Sequence, residues 1–326
     1  MRVLVTGIAG MAGSHLAEYL VEHVREAEIF GSVRPGGSTG NLSRISDRVH
    51  LVECDVCSVS SVEEMLTGCQ PDRIFHLAGQ SSVPVSFRQP HETLKTNING
   101  LVNLLEVLRR QRPECRVLVP GTSEEYGAQG GVLDEGAPLL PLSPYALSKA
   151  IQDLAAFQYA RSYKLHIVRT RAFNHTGPRR PTLYAEADFA AQIVRVECGA
   201  QDTVRVGNLD AVRDFSDVRD VVRGYWMALE QGQAGEVYNL CSGVGRSIRE
   251  VLEGLLARSA ITPRVVFDPE RLRPSDPPRI VGNGSKFREL TGWKPEIPFE
   301  QTLADILKEQ RDLARARSQN QESDPS

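Results

Sequence analysis

A strand that dissolves into three glycines and re-forms as a helix opens this chain. Met1-Arg2-Val3-Leu4-Val5-Thr6 is a short apolar run of the kind a buried strand requires. Gly7, Gly10 and Gly13 follow, and 14–26 reads as a helix with Leu16, Leu20, Val21 and Val24 as its apolar stripe. Glycines at a strand-to-helix turn let the backbone approach a pyrophosphate, which then rests on the helix N-terminus. The spacing is G-x-x-G-x-x-G rather than the commoner G-x-G-x-x-G.

The turn fixes the first βα unit, and the chain continues in the same idiom. Runs 29–33, 49–52, 73–77, 116–119 and 166–171 read as strands, each followed by a helical stretch. Such alternation predicts an α/β fold, a doubly wound parallel Rossmann sheet with helices on both faces. Gly177-Pro178 breaks the pattern. Beyond it, 188–198 and 217–231 read as helices, and 204–206, 237–240 and 265–267 as strands. We expect 1–176 and 211–245 to form the dinucleotide-binding domain and 177–210 and 246–311 a smaller mixed α/β substrate lobe. The polar stretch 312–326 is expected to be a flexible tail.

Chemistry concentrates near the middle. In Ser143-Pro144-Tyr145-Ala146-Leu147-Ser148-Lys149, a helix would put Tyr145 and Lys149 on one face. An ammonium beside the phenol would lower the tyrosine pKa toward neutrality and make Tyr145 a proton donor or acceptor at pH 7. Gly121-Thr122-Ser123-Glu124-Glu125-Tyr126-Gly127 adds a hydroxyl and a carboxylate. At the end of the second strand, where NAD-binding sheets carry an acid for the ribose diol, this chain has Arg34. Arginine there can accept a 2′-phosphate, which favours NADPH, with NADH as the alternative.

Composition narrows the rest. A net charge of −3 gives no general affinity for nucleic acid. Cys54 and Cys57 form a C-x-x-C without a second pair, so the six cysteines read as reduced thiols and no metal site is expected. The N-terminal apolar run is too short for a signal peptide or membrane span, so a cytoplasmic enzyme without membrane association is expected.

Together the glycine turn, Asp55-Val56, His76-Leu77-Ala78-Gly79, Asn97 and Tyr145-x-x-x-Lys149 resemble the short-chain dehydrogenase/reductase superfamily in its extended form. Thr122-Ser123-Glu124 and Phe173-Asn174-His175 are similar to its nucleotide-sugar branch. The stretch Gly207 to Phe215 and Arg273-Pro274-Ser275-Asp276 resemble the enzymes acting on GDP-mannose and its 4-keto-6-deoxy product. The resemblance runs from Met1 to about Arg311. It implies a cofactor site at Gly7, Gly10, Met11, Gly13, Arg34, Asp55, Val56, Leu77, Ala78, Gly79, Asn97, Tyr145 and Lys149. It implies catalysis by Thr122, Glu124, Tyr145 and Lys149, and a GDP-sugar held by Ser81, Asn174, Arg179, Arg213, Arg273 and Asp276. His175 is expected to be a neutral histidine satisfied by backbone.

Two reactions share such a site. In a reductase, NADPH reduces the C4 ketone of GDP-4-keto-6-deoxy-D-mannose to a GDP-6-deoxyhexose, with GDP-D-rhamnose as the expected product. In a GDP-mannose 4,6-dehydratase, the carboxylate at the place of Glu124 removes the C5 proton. Glu125 and Val212-Arg213-Asp214-Phe215 resemble the reductases, and Pro178-Arg179-Arg180 the dehydratases, so a dehydratase or a dual activity stays open. The resemblance also implies a homodimer through a four-helix seam built from 97–110 and 145–163, with a tetramer as the further assembly.

Overall fold

In the computed structural model, which describes residues 1–322, strands fall where the apolar runs end in glycine or polar turns. They are β1 (Arg2–Thr6), β2 (Glu28–Val33), β3 (His50–Glu53), β4 (Arg73–His76), β5 (Arg116–Thr122), β6 (Ile167–Ala172), β7 (Asn174–Thr176), β8 (Thr203–Val206), β9 (Val212–Asp217), β10 (Val237–Leu240), β11 (Gly245–Ser247), β12 (Arg264–Phe267) and β13 (Arg279–Ile280). The helices are α1 (Met11–His23), α2 (Val59–Cys69), α3 (Val83–Arg88), α4 (Pro90–Leu94), α5 (Gly100–Gln111), α6 (Pro144–Tyr163), α7 (Ala185–Glu197), α8 (Val218–Gln231), α9 (Ile248–Leu256), α10 (Ser285–Thr291) and α11 (Phe299–Glu322).

A seven-stranded parallel sheet runs in the order β10-β6-β5-β4-β1-β2-β3. Along β1 the side chains alternate between its faces. Val3 and Val5 join Leu16, Leu20 and Val221 in one layer, and Leu4 joins Leu66, Leu104 and Ile167 in the other. Each such side chain, fully buried, contributes about 1.5–3 kcal/mol. The strand order reverses at β1, which lies between β2 and β4. A crevice therefore opens beyond the carboxyl ends of β1 and β4, where ligands of such sheets bind.

A second sheet centres on β9, which pairs with β7, β11 and β13. The β8–β12 pair and α7, α9 and α11 close a smaller core around Phe189, Ile193, Leu252 and Ile306. Two sequence expectations are corrected. Strand β9, grouped with the dinucleotide-binding domain, pairs in the smaller sheet, because the main sheet's edge partner for β6 is β10. Residues 312–322, expected in a flexible tail, continue α11, anchored upstream by buried Leu303, Ile306 and Leu307. The remainder of that tail, 323–326, lies outside the described residues. Among the described residues no helix is long and apolar enough to cross a membrane.

Helix α6 begins at a capped turn: Ser143 Oγ accepts the Ala146 N–H at 3.1 Å, and Pro144 occupies the first turn. That cap fixes where Tyr145 and Lys149 stand.

Candidate active site

Two adjoining cavities of about 430 and 510 Å³ form one cleft, sharing Asn174, Arg180, Tyr184 and Arg273 in their walls. The first follows the glycine turn. Gly7 has φ +67°, and a Cβ on it would meet the Ala78 backbone nitrogen at 2.9 Å. A Cβ on Gly13 would meet Ile8 Cα at 2.8 Å. No side chain caps α1 at Gly10, which leaves the N–H groups of its first turn to an anion. A tight glycine cradle at an uncapped helix start fits the pyrophosphate of a dinucleotide.

Leu77, Ala78, Gly79 and Asn97 line the same cavity. Asn97, 1% exposed, lies in a π-helical turn over Lys95–Asn99. Its Oδ1 accepts the Gln80 N–H at 2.8 Å and its Nδ2 donates to Ser148 Oγ at 2.8 Å, tying the loop after β4 to α6. Val56 is buried in the core, and the Asp55 carboxylate accepts the Cys57 N–H at 2.9 Å. Arg34 is exposed at the end of β2, its guanidinium without a hydrogen bond or ion pair among the described residues.

Tyr145, Lys149, Thr122 and Glu124 converge on the cleft. Thr122 ends β5, and its hydroxyl accepts the Glu124 N–H at 3.3 Å on the cleft wall that Tyr145 also lines. Lys149 Nζ donates to Gln152 Oε1 at 2.7 Å, and Gln152 Nε2 to the Asn97 carbonyl at 2.6 Å. The expected lowering of the tyrosine pKa is not met. Burial pushes the phenol well above its ordinary range, with the neighbouring Tyr184 next in effect, and burial pushes the Lys149 ammonium down. Desolvation sets the direction at this depth. The Glu124 carboxylate has no hydrogen-bond or ion-pair partner among the described residues. His175 Nδ1 sits 3.1 Å from the Phe173 carbonyl, and burial pushes its pKa down to about 4, so the ring is neutral.

The second cavity receives Asn174, Arg213, Arg273 and Asp276. Arg213 is committed: its guanidinium donates to Asp276 Oδ1 at 2.6 Å and to the Pro277 carbonyl at 2.7 Å. Asp276 Oδ2 accepts from Asn208 at 2.8 Å. Arg273, lining both cavities, has no partner among the described residues. Ser81 Oγ lies 3.0 Å from the Tyr184 hydroxyl.

Arg179 does not line the cleft, contrary to the sequence expectation. Its backbone, at φ 68°, turns the side chain toward α1, where Glu18 takes it, while its N–H donates to both Glu309 oxygens at 2.8 and 2.7 Å. Arg180 lines the cleft instead, stacked over Tyr184 at 3.4 Å and paired with Glu186 at 3.2 Å. Sequence reasoning missed Arg180, Tyr184, Arg88 in the second cavity, and the buried Glu125. The Arg179-Arg180 doublet held the signal for the first; choosing between its members required the turn geometry.

A parallel sheet with a glycine turn beyond β1, and a Tyr-x-x-x-Lys pair beside a threonine hydroxyl, define a short-chain dehydrogenase/reductase of the extended type. A family model described as GDP-mannose 4,6 dehydratase matches residues 4–306. GDP-6-deoxy-D-mannose reductase of Pseudomonas aeruginosa is 34% identical over 94% of this chain and 96% of its own length. GDP-mannose 4,6 dehydratase 1 of Arabidopsis thaliana is 29% identical over 96% and 90%. Among solved structures, RMD from Pseudomonas aeruginosa complexed with NADPH superposes with a TM-score of 0.82 at 31% identity, covering 96% of this chain and 99% of that one. The chain belongs to the GDP-mannose 4,6-dehydratase family, whose members here include both dehydratases and a reductase.

Proposed function

We propose that this chain reduces the C4 ketone of GDP-4-keto-6-deoxy-D-mannose with NADPH, giving a GDP-6-deoxyhexose, GDP-D-rhamnose in our reading. The observation that carries it is the convergence of the Tyr145 phenol, the Thr122 hydroxyl and Lys149 on one wall of the cleft, where burial holds the phenol protonated. Ketone reduction requires a proton donor at the carbonyl oxygen, and a phenol that stays protonated through the neutral range is one. The 34% identity to a GDP-6-deoxy-D-mannose reductase supports the same direction.

When bound, NADPH supplies the hydride. Gly7, Gly10, Met11 and Gly13 would hold its pyrophosphate, Asp55 and Val56 its adenine, Leu77, Ala78, Gly79 and Asn97 the wall beside it, and Arg34 the 2′-phosphate that distinguishes it from NADH. Tyr145 gives its proton to the C4 oxygen, and Thr122 orients that oxygen. Lys149 stabilises the phenolate left behind. The uncommitted Arg273 grips the diphosphate, with Arg213 buttressing the strand beneath it and Arg180 replacing Arg179 as the second cation. Ser81, Asn174 and Asp276 contribute polar contacts to the sugar and nucleotide. We place this enzyme in the cytoplasm. Its working form in this reading is a homodimer packed through α5 and α6, where Leu147, Leu154 and Phe157 are exposed on α6.

One observation favours a second reading. Glu124 is an unpartnered carboxylate in the cleft, as removal of a C5 proton would need. Two incubations separate the readings: GDP-mannose alone, and its 4-keto-6-deoxy derivative with NADPH, each followed by mass spectrometry. We expect reduction in the second and little change in the first. Efficient loss of water from GDP-mannose, without reduction in the second, would overturn the proposal in favour of the dehydratase.

A further inference from the structure

Lys149 lines the cleft, yet the one hydrogen bond its ammonium makes among the described residues goes to a buried side chain. Nζ donates to Gln152 Oε1 at 2.7 Å, and Gln152 Nε2 donates to the Asn97 carbonyl at 2.6 Å. Gln152 is 2% exposed, so its amide has to be satisfied inside the protein. An ammonium carries only donors and a carbonyl only acceptors. The amide therefore has one workable orientation, oxygen on the lysine and nitrogen on the carbonyl. Tyr145, Lys149 and Gln152 are spaced i, i+4, i+7 along α6 and share one face of it.

The far end of this strut is fixed. The Asn97 carbonyl lies in the π-helical turn and also accepts the Gly100 N–H, so both of its lone pairs are used. The Asn97 side chain holds the loop after β4, accepting the Gln80 N–H at 2.8 Å and donating to the Gln80 carbonyl at 2.9 Å. It also donates to Ser148 Oγ at 2.8 Å, and that hydroxyl donates to the Tyr145 carbonyl at 2.7 Å. Asn97 thus gathers the loop that lines the first cavity, the helix that carries Tyr145 and, through Gln152, the ammonium itself.

Among the described residues no carboxylate forms an ion pair with Lys149. Asp153, on the same helix, belongs to a buried layer in which its Oδ1 takes Arg169 at 2.6 Å and its Oδ2 takes Arg171 Nε at 3.0 Å. Glu125, on the turn after β5, accepts the Thr122 N–H at 2.7 Å and lies 3.4 Å from Arg171 Nε. From β4, His76 bonds to the Thr6 hydroxyl at 3.1 Å, and burial holds its ring neutral. Glu124, Tyr145 and Tyr184 are the other titratable groups on this side, all in the cleft wall.

We propose that Gln152 is a positioning residue whose amide ties the Lys149 ammonium to the Asn97 turn and leaves the two other N–H groups of that ammonium to the cleft. The inference rests on the Tyr145–Lys149 pair of the proposed function and holds equally for a reductase and a dehydratase. Without the amide, a flexible four-carbon stem has no fixed partner, and the ammonium is no longer held beneath the phenol. The sugar, gripped by other side chains, would still bind. An acceptor favours the charged form of its donor, so its loss also makes the ammonium easier to deprotonate.

Two variants of the full chain test this. Gln152→Met keeps length and volume and removes both hydrogen bonds; the Asn97 carbonyl still accepts the Gly100 N–H, so no backbone group is stranded. Gln152→Glu keeps an acceptor for Lys149 and adds a charge beside it. Acetylation of Lys149 by acetic anhydride against pH, read by peptide mass spectrometry, reports deprotonation without substrate or cofactor. Its midpoint should move down by about one unit in Gln152→Met and up by about one unit in Gln152→Glu. For turnover of the 4-keto sugar with NADPH, Gln152→Met should lower kcat about tenfold and keep KM for the sugar within about twofold. An acetylation profile of Gln152→Met that overlays the wild type would overturn the inference. So would shifts of the same sign in both variants, which would mark a general loosening of the site. Acetylation needs no turnover, so failure of the proposed reaction alone leaves this test standing. Where Gln152→Met does not fold, Gln152→Glu decides alone: an upward shift supports the contact and an unmoved midpoint refutes it.

Discussion

Replacing Arg34 by alanine tests the cofactor assignment with little risk to the fold. The guanidinium is exposed and has no partner among the described residues, so nothing else is lost with it. Its backbone carbonyl accepts the Gly37 N–H at 2.8 Å, a bond alanine retains. A charge-assisted bond to a phosphate is worth about 1.5–3 kcal/mol when shielded. At an exposed site screening reduces this, and about 1–2 kcal/mol remains, or about a 5- to 30-fold rise in Kd. NADPH should lose that affinity, and NADH, lacking the 2′-phosphate, should lose almost none. Titration of cofactor fluorescence at two salt concentrations reads both. The wild-type preference for NADPH should itself shrink as salt rises, because the Debye length falls from about 10 Å at 0.1 M to about 3 Å at 1 M. Equal losses for the two cofactors, or a salt-independent preference, would refute the assignment of Arg34 to the 2′-phosphate.

Three further outcomes follow from the site and its support. Tyr145→Phe should lower turnover by about a hundredfold or more with the nucleotide sugar still bound, as steady-state kinetics and calorimetry would report; wild-type turnover would remove the proton donor from the mechanism. Glu124→Gln should keep much of the C4 reductase rate, and no deuterium should enter C5 from heavy water; C5 labelling abolished by this substitution would establish the dehydratase reaction instead. Asp153→Asn leaves Arg169 and Arg171 underpaired in a buried setting and should cost about 3–5 kcal/mol in urea unfolding, and a loss under about 1 kcal/mol would show that the layer relaxes around it.

Much of the architecture was legible because its signals are local. The glycine turn needs only thirteen residues to declare itself, and Tyr145 and Lys149 share a helix face by spacing alone. The expectations that failed depended on distant residues. Arg179 and Arg180 are neighbours in sequence, but Glu309 and Glu18 draw one away from the cleft and Glu186 keeps the other beside it. The tyrosine shift was read with the wrong sign because spacing reveals the lysine's charge and not the depth at which both groups sit. Strand β9, Val-Arg-Asp-Phe-Ser-Asp, has no continuous apolar run, and only pairing partners 30 or more residues away in β7, β11 and β13 assign it.

The contact between Arg179 and Glu309 gives the last helix a standing that its polar surface conceals. A non-glycine residue at φ 68° stores about 1–3 kcal/mol of backbone strain, and here a carboxylate from α11 holds it by accepting its N–H with both oxygens. The same segment is stitched to α1 through His15, whose Nε2 lies 3.1 Å from the Pro178 carbonyl. A carboxylate on α11 thus holds the residue immediately before Arg180. Trimming α11 ahead of Glu309, or displacing it with a bulky fusion, would be felt at the mouth of the cleft before it was felt in the core.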